Sequence, residues 1–328
     1  VVSQTTNDTT PVITGTADSS DSLTVTVDGV TYSEGDGNLV DNGDNTWSLT
    51  IPAGNEISPD GSYDVTATAT DTAGNTATDT TSGELTIDTV APTVPTVVSQ
   101  TTNDTTPVIT GTADSSDNLT VTVDGVTYSE GDGNLVDNGD NTWSLTIPAG
   151  NEISPDGTYD VTATATDTAG NTATDTTSGE LTIDTVAPTV PTVVSQTTND
   201  TTPVITGTAD SSDSLTVTVD GVTYSEGDGN LVDNGDNTWS LTIPAGNEIS
   251  PDGSYDVTAT ATDTAGNTAT DTTSGELTID TVAPTVPTVV SQTTNDTTPV
   301  ITGTADSSDS LTVTVDGVTY SEGDGNLV

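Results

Sequence analysis

Residues 85–104 read LTIDTVAPTVPTVVSQTTND, and the same stretch returns from residue 181 and from residue 277. Leu85 and Ile87 alternate with polar residues as in a strand that ends at Asp88. The two prolines that follow, at positions 92 and 95, hold the backbone extended because each fixes φ and restricts the residue before it. A new β-branched run begins at Val97. The pattern predicts a short, semi-rigid joint between two domains rather than a flexible Gly/Ser linker.

The unit between these joints has a period of 96 residues, since VVSQ recurs at positions 1, 97, 193 and 289. The three full copies differ at only two positions, Ser22/Asn118/Ser214 and Ser62/Thr158/Ser254. A period of this length matches a whole small domain and exceeds that of solenoid repeats. We therefore predict Ig-like repeats at residues 1–91, 92–187 and 188–283, and the first half of a fourth at 284–328. Because that half lacks the strands that correspond to those of Trp47 and Tyr63, we expect the chain to be part of a longer array.

The composition excludes several classes of function. The chain has 328 residues, no Lys, Arg, His or Cys, and a net charge of −51. Nucleic-acid binding relies on cationic side chains, so it is not expected. No apolar run is long enough to enter a membrane as a helix. Because most general bases and nucleophiles are absent, the sequence also predicts that the protein is not an enzyme.

Alternating apolar residues in each repeat predict an all-β fold. The clearest strands are at residues 23–28, 47–51 and 63–70, with others at 11–17, 30–32 and 76–87. About seven short strands with frequent turn signals are typical of an Ig-like β-sandwich, so the chain is predicted to be a linear array of tandem Ig-like sandwiches. The predicted core of the first repeat is Ile13, Leu23, Val25, Val27, Trp47, Leu49, Ile51, Tyr63, Val65, Ala67, Leu85 and Ile87.

In such a sandwich the loops collect at two ends, which we call the lower pole and the upper pole. The joint brings the lower pole of one repeat, with Asp60 and Asp88, to the upper pole of the next, with Asp114, Asp117 and Asp167. These acidic side chains have no cationic partner. Ca²⁺ takes six to eight oxygen ligands and would remove this repulsion. The alternative is that these residues only form solvated turns. The candidate ligands are Asp8, Asp60, Asp71, Asp88, Asp104, Asp114, Asp117, Asp156, Asp167, Asn171, Asp184, Asp200, Asp210, Asp213, Asp263, Asn267, Asp280, Asp306 and Asp309.

Five motifs recur in order in each full copy: NDTTPVITG at 7–15, NTWS at 45–48, DGSY at 60–63 (DGTY in the second copy), ATDTAGN at 69–75 and IDTVAP at 87–92. With these motifs the chain resembles the bacterial Ig-like repeats in the extender regions of giant type I-secreted adhesins, the RTX and biofilm-associated group. The resemblance implies calcium-rigidified sandwiches outside the cell, at the cell surface. The glycine-rich nonapeptides of the secretion region of such proteins are not in this sequence.

The resemblance implies a structural extender, or stalk, whose partners are neighbouring repeats of the same chain. The ligand of the distal region would not bind in this stretch.

Two alternatives to a stalk remain open. The outward threonines of predicted strands, Thr24, Thr26, Thr66, Thr68 and Thr70, could bind a glycan, a surface or ice, although threonine is also common on solvated strand faces. The chains could also associate laterally into extracellular filaments.

Overall fold

The computed structural model describes residues 1–323 and 325–328, and this part of the chain is all β. The prediction of an all-β fold is confirmed. Within the described residues there is no helix, and hence none that could cross a membrane.

The strands recur with the sequence period. In the first repeat they are β1 Gln4–Thr6, β2 Val12–Thr16, β3 Ser22–Val27, β4 Val30–Ser33, β5 Leu39–Asp41, β6 Thr46–Thr50, β7 Gly61–Tyr63, β8 Val65–Thr70, β9 Thr76–Thr78 and β10 Leu85–Ile87. In the second they are β11 Thr96–Val97, β12 Gln100–Thr102, β13 Val108–Thr112, β14 Asn118–Val123, β15 Val126–Ser129, β16 Leu135–Asp137, β17 Thr142–Thr146, β18 Gly157–Tyr159, β19 Val161–Thr166, β20 Thr172–Thr174 and β21 Leu181–Ile183.

The third repeat contains β22 Thr192–Val193, β23 Gln196–Thr198, β24 Val204–Thr208, β25 Ser214–Val219, β26 Val222–Ser225, β27 Leu231–Asp233, β28 Thr238–Thr242, β29 Gly253–Tyr255, β30 Val257–Thr262, β31 Thr268–Thr270 and β32 Leu277–Ile279. The remaining strands are β33 Thr288–Val289, β34 Gly303–Thr304, β35 Thr312–Val315 and β36 Val318–Ser321.

Three small sheets form each full repeat. In the first repeat their strand orders are β4-β3-β8-β9, β2-β6-β5 and β1-β10-β7. The pairing of β1 with β10 is parallel, and the pairings within the other two sheets are antiparallel. In the second repeat, β11 adds a strand to the sheet of β13, β17 and β16. The chain that follows the prolines of the joint therefore enters the second repeat directly as a strand.

The inward side chains of the three sheets share one core, centred on Trp47 in the first repeat. The predicted core residues are buried there, except that Tyr63 and Ala67 are partly buried at its margin. Three core residues were not predicted, namely Tyr32, Leu39 and Ile57. Ile57 lies in a connection without alternation, so the period of the sequence does not indicate its burial.

Three predicted elements differ from the structure. Residues 63–70 alternate as one strand, but the chain changes sheets at Asp64, so that β7 pairs with β10 while β8 pairs with β3. Residues 76–87 are likewise two strands in different sheets, joined by a loop. The predicted loop at 33–45 contains β5, which pairs with β6. Alternation is insensitive to such changes, because it reports which face is buried but not which partner strand is paired.

The chain divides into two compact units. The first comprises Val1–Val186 with Thr264–Asn267, and the second comprises Ala187–Asp263 with Thr268–Val328. The joint between the first and second repeats lies wholly within the first unit, and it contains the first set of predicted site residues.

Candidate functional site

The lower pole of the first repeat is built by two parallel strand ends. β1 and β10 pair in register up to Thr6 and Ile87, and the backbone N–H of Asp88 donates to the carbonyl oxygen of Thr6 at 3.1 Å. Asn7 and Asp88, the next residue of each strand, therefore leave the sheet side by side. This places the backbone N–H of Asn7 and the carbonyl of Asp88 next to each other at the end of the repeat, beyond the last pair of the two strands.

The predicted acidic residues of this pole fix the chain that leaves it. The carboxylate of Asp60 accepts hydrogen bonds from the backbone N–H and the hydroxyl of Thr89, both at 2.9 Å. Oδ1 of Asp88 accepts from the N–H of Val90 at 3.1 Å. Asp8 is bound locally, through the N–H and hydroxyl of Thr10. Asp60 and Asp88 thus hold the first residues of the joint.

The upper pole of the second repeat gathers three carboxylates. Burial raises the pKa of the Asp117 carboxyl, and the nearby charges of Asp114 and Asp167 raise this pKa further. Asp114 accepts hydrogen bonds from the N–H and hydroxyl of Ser116. The side-chain hydrogen bond from Asn171, together with backbone N–H donors of the same loop, lowers the pKa of Asp167. Of the three, Asp117 is thus the one whose negative charge the site disfavours.

Two hydrogen bonds connect the poles across the joint. The backbone N–H of Asn7 donates to the carbonyl oxygen of Ala169 at 3.0 Å. The side-chain Nδ2 of Asn171 donates to the carbonyl oxygen of Asp88 at 2.8 Å and to Oδ2 of Asp167 at 2.8 Å. Asn171 therefore links the lower pole of the first repeat to the acidic cluster of the second.

The oxygen ligands of this site suit a hard cation, but their positions do not form a complete metal-coordination site. Carboxylate and carbonyl oxygens are the ligands that Ca²⁺ prefers, and the sequence supplies no Lys, Arg or His to neutralise them. Across residues 1–323 and 325–328, however, no three acidic side chains converge closely enough to hold a metal ion. The charges of Asp114 and Asp167 act on Asp117, but the three carboxylates do not form a common coordination sphere.

Equivalent residues of the other repeats have equivalent local partners. At the lower pole, Asp104 and Asp200 accept the same hydrogen bonds as Asp8, Asp156 accepts the same as Asp60, and Asp184 and Asp280 accept the same as Asp88. At the upper pole, Asp210 and Asp306 accept the same hydrogen bonds as Asp114. Within the second unit, burial and the charges of Asp210 and Asp263 raise the pKa of Asp213. Asp309 donates its backbone N–H to the carbonyl of Asp306. In the first repeat, Asp71 bonds Asn75 within its own loop.

Sequence reasoning grouped the side chains of the poles but missed the backbone contacts between them. It predicted Asn171 and Asn267 as cation ligands, and this stays a prediction. In the structure the side-chain amide of each donates to a carbonyl oxygen, that of Asp88 and of Asp184 respectively. It placed Asn7 at the lower pole but did not identify its backbone N–H, or the carbonyl of Ala169, as a contact. Every residue has a backbone carbonyl and every residue except proline has a backbone N–H, so residue type gives no signal for such a contact.

Comparison with known proteins identifies the repeat. No curated protein matches the chain. Several solved structures are similar in part. One is from a 1.5-MDa bacterial ice-binding adhesin, with 24% identity, 83% of this chain and 92% of that chain covered, and a TM-score of 0.34. Another is the Bacteroides ovatus protein SGBP-B in complex with a mixed-linkage heptasaccharide, with 16% identity, coverage of 88% and 66%, and a TM-score of 0.21. A titin fragment has 12% identity, coverage of 82% and 91%, and a TM-score of 0.34.

The family model described as "Bacterial Ig-like domain" matches residues 2–89, 96–185 and 192–281. These matches cover most of the chain and follow the 96-residue period. The chain therefore belongs to the family of bacterial Ig-like domains, of which it contains three tandem copies.

Proposed function

We propose that this chain is a stalk segment of a bacterial cell-surface adhesin, a structural extender that acts outside the cell and holds a ligand-binding region away from it. Tandem bacterial Ig-like domains are consistent with this role. The observation that carries the proposal is the two-point contact between the first two repeats, through Asn7–Ala169 and Asp88–Asn171. A stalk needs joints that are held in place, and a string of freely linked domains would not need such contacts.

We further propose that calcium binds at the joints. In the first joint Asp88, Asp114, Asp117 and Asp167 would hold the ion. The ion would supply positive charge that offsets the burial of Asp117 and the nearby charges of Asp114 and Asp167, which together raise the pKa of Asp117. Extracellular calcium modules have dissociation constants of about 10⁻⁴–10⁻³ M, which suits a chain exposed to millimolar calcium outside the cell.

Calcium titration of the full chain tests whether calcium binds at the joints. Equilibrium dialysis should show saturable binding in the range of about 10⁻⁴–10⁻³ M. Thermal unfolding should occur at a lower temperature in chelator, because tenfold to hundredfold saturation stabilises the folded state by about 1–3 kcal/mol per site. Small-angle scattering should show a broader range of conformations in chelator. Identical melting and scattering in calcium and chelator would mean that the joint is set by the protein alone.

A second candidate function rests on the outward face of the sheet β4-β3-β8-β9. Its register places Ser22, Thr70 and Thr76 in one row and Ser33, Thr24, Thr68 and Thr78 in the next. Both rows are uncharged in a chain of net charge −51. Such a hydroxyl surface suits binding of an uncharged glycan or ice, or lateral contact with another chain. Sedimentation with insoluble polysaccharide, ice-affinity partitioning and analytical ultracentrifugation would separate these functions from a stalk that binds none of them.

A further inference from the structure

The loop Asp167–Asn171, which we call the latch loop, is organised by a single carboxylate. Oδ1 of Asp167 accepts the backbone N–H groups of Ala169 and Asn171, both at 2.9 Å. Oδ2 accepts the side-chain amide of Asn171 at 2.8 Å. The backbone N–H of Asp167 in turn donates to the carbonyl of Asn171 at 3.1 Å. These bonds fix the directions in which the Ala169 carbonyl and the second amide hydrogen of Asn171 point.

Those two groups match the two groups at the end of the preceding repeat. The Ala169 carbonyl accepts from the N–H of Asn7, and the Asn171 amide donates to the carbonyl of Asp88. Asn7 and Asp88 follow two strands that are parallel neighbours, so the donor and the acceptor lie at fixed positions on the same sheet edge. The latch loop therefore recognises a pair of adjacent strand ends. Its acceptor, the Ala169 carbonyl, faces the N–H of Asn7, and its donor, the Asn171 amide, faces the carbonyl of Asp88.

The same loop in the first repeat, Asp71–Asn75, shows that this arrangement forms without a partner. Oδ1 of Asp71 accepts the N–H groups of Ala73 at 2.9 Å and Asn75 at 2.8 Å, and Oδ2 accepts the Asn75 amide at 2.7 Å. Ala73 is exposed, whereas Ala169 is only 7% exposed. Docking thus buries Ala169 and partly buries Asn171, but leaves the internal hydrogen bonds of the loop as they were. A preformed loop loses little conformational entropy when it binds.

We propose that the latch loop is a preformed docking site for the end of another Ig-like repeat, and that Asn171 is the positioning residue that sets the orientation of the joint. The partner surface consists of two neighbouring backbone groups: the N–H of the residue that follows the first strand of a repeat, and the carbonyl of the aspartate that follows its last strand. The same bonds recur within the first unit between Asn103 and Ala265 at 3.0 Å and between Asn267 and Asp184 at 2.8 Å. The inference rests on the proposed stalk function, but it requires no cation.

Pulsed electron paramagnetic resonance on the full chain tests the latch. The chain has no cysteine, so Thr50→Cys and Thr146→Cys introduce the only thiols, at the same exposed position of the first two repeats. Spin labels on these thiols report the distribution of distances across the joint. Asn171→Ala should make this distribution about twofold broader, since it removes one of the two hydrogen bonds across the joint and leaves only the Asn7–Ala169 bond and the short linker to restrain the angle between repeats. Asn75→Ala removes the same internal hydrogen bond from a loop without a docked repeat, so it should leave the distribution unchanged.

The comparison is made in chelator and again in calcium, which separates the latch from the cation. Equal widths for Asn171→Ala and Asn75→Ala in chelator would overturn the latch, whatever calcium does to the unsubstituted chain. A calcium-independent width in the unsubstituted chain would count against the calcium joint alone. Asn171→Asp has nearly the same volume but lacks the amide donor, so it should broaden the distribution as Ala does. This variant is compared in chelator, because a carboxylate introduced at position 171 would itself attract calcium. A width for Asn171→Asp in chelator equal to that of the unsubstituted chain would also overturn the latch.

Discussion

The carboxylate of Glu180 accepts a hydrogen bond from the backbone N–H of Val161 at 3.0 Å, although the glutamate side chain is only 3% exposed. The equivalent residues Glu84 and Glu276 make the same bond, with Val65 and Val257, and are equally buried. β19 begins at Val161 after the chain has left β18 for another sheet. The buried glutamate therefore supplies an acceptor at the point where the chain changes sheets.

Replacing all three buried glutamates by alanine should destabilise every full repeat. Loss of the acceptor leaves a buried N–H without a partner, which costs about 1–3 kcal/mol in the free energy of unfolding. Glutamine retains an acceptor oxygen and should cost less. Urea denaturation followed by tryptophan fluorescence measures the effect, because each repeat contains one tryptophan. As a control, alanine at Glu56, Glu152 and Glu248, whose carboxylates accept from loop glycines on the surface, should change the midpoint little. An equal loss of stability in the control set would contradict a specific role for the buried glutamates.

These glutamates illustrate what the sequence does not reveal. Alternation of apolar residues was sufficient to predict the β-sandwich and most of the core, because burial of one face imposes a period of two. A glutamate is expected on the surface, and nothing in its neighbours indicates that Glu180 is buried at a change of sheet. The change itself is concealed because residues 63–70 keep their alternation through Asp64 while the pairing partner changes.

The candidate site, like the fold, could be predicted from the sequence only in part. The turn residues and the strand order of an Ig-like sandwich were sufficient to place Asp60 and Asp88 at one pole and Asp114, Asp117 and Asp167 at the other. The direction in which the Asn171 amide points, and the carbonyl that it meets, depend on the three-dimensional path of two loops. Residue identity cannot distinguish an asparagine that offers its oxygen to a cation from one that offers its N–H to a carbonyl, because the side chain has both groups.

Gly111 and Trp143 form a close contact that should not tolerate a larger side chain. A Cβ atom at position 111 would lie 2.5 Å from a ring carbon of Trp143 and 1.9 Å from the carbonyl oxygen of Thr96. Gly15 and Gly207 face Trp47 and Trp239 in the same way. Alanine at all three glycines should lower the free energy of unfolding of each repeat by about 1–3 kcal/mol, the usual cost of overpacking.

Urea denaturation and the tryptophan emission maximum measure this effect of the glycine substitutions. Thr14→Ala, Thr110→Ala and Thr206→Ala on the same strands are the control, since these threonines face outward. Unchanged stability of the glycine variants would mean that the tryptophan and, at Gly111 and Gly207, the strand that carries Thr96 or Thr192 move aside without cost.

We predict that the chain has no catalytic turnover on ester, peptide or glycoside substrates. General acid–base chemistry near neutral pH usually depends on groups such as histidine, and the sequence contains none. Incubation of the full chain with chromogenic substrates of each class should give the rate of the buffer alone. A rate that rises with protein concentration and disappears on replacement of a repeated aspartate by asparagine would contradict this prediction.

Asp117→Asn should stabilise the joint at neutral pH in chelator. Burial and the charges of Asp114 and Asp167 raise the pKa of Asp117 in the folded state, so the folded state holds this proton more tightly than the unfolded state. The stability that the proton contributes is present at low pH and is lost as pH rises from the unfolded value of about 3.9 through the raised folded value. Above that window the unsubstituted chain bears the full repulsion and the variant does not. Because Asp117 is partly exposed, the gain should be about 1 kcal/mol or less.

Thermal unfolding of the full chain at several pH values measures the effect of Asp117→Asn, and Asp21→Asn, the same loop position in the first repeat, is the control. The variant and the unsubstituted chain should converge below the window, where both side chains are neutral. If calcium occupies this pole, it should stabilise the unsubstituted chain more than the variant, because the variant has lost a ligand and part of the repulsion that the ion offsets. A variant that is less stable than the unsubstituted chain at neutral pH in chelator would show that the Asp117 charge is compensated by the protein. The acidic cluster would then have no need of a cation.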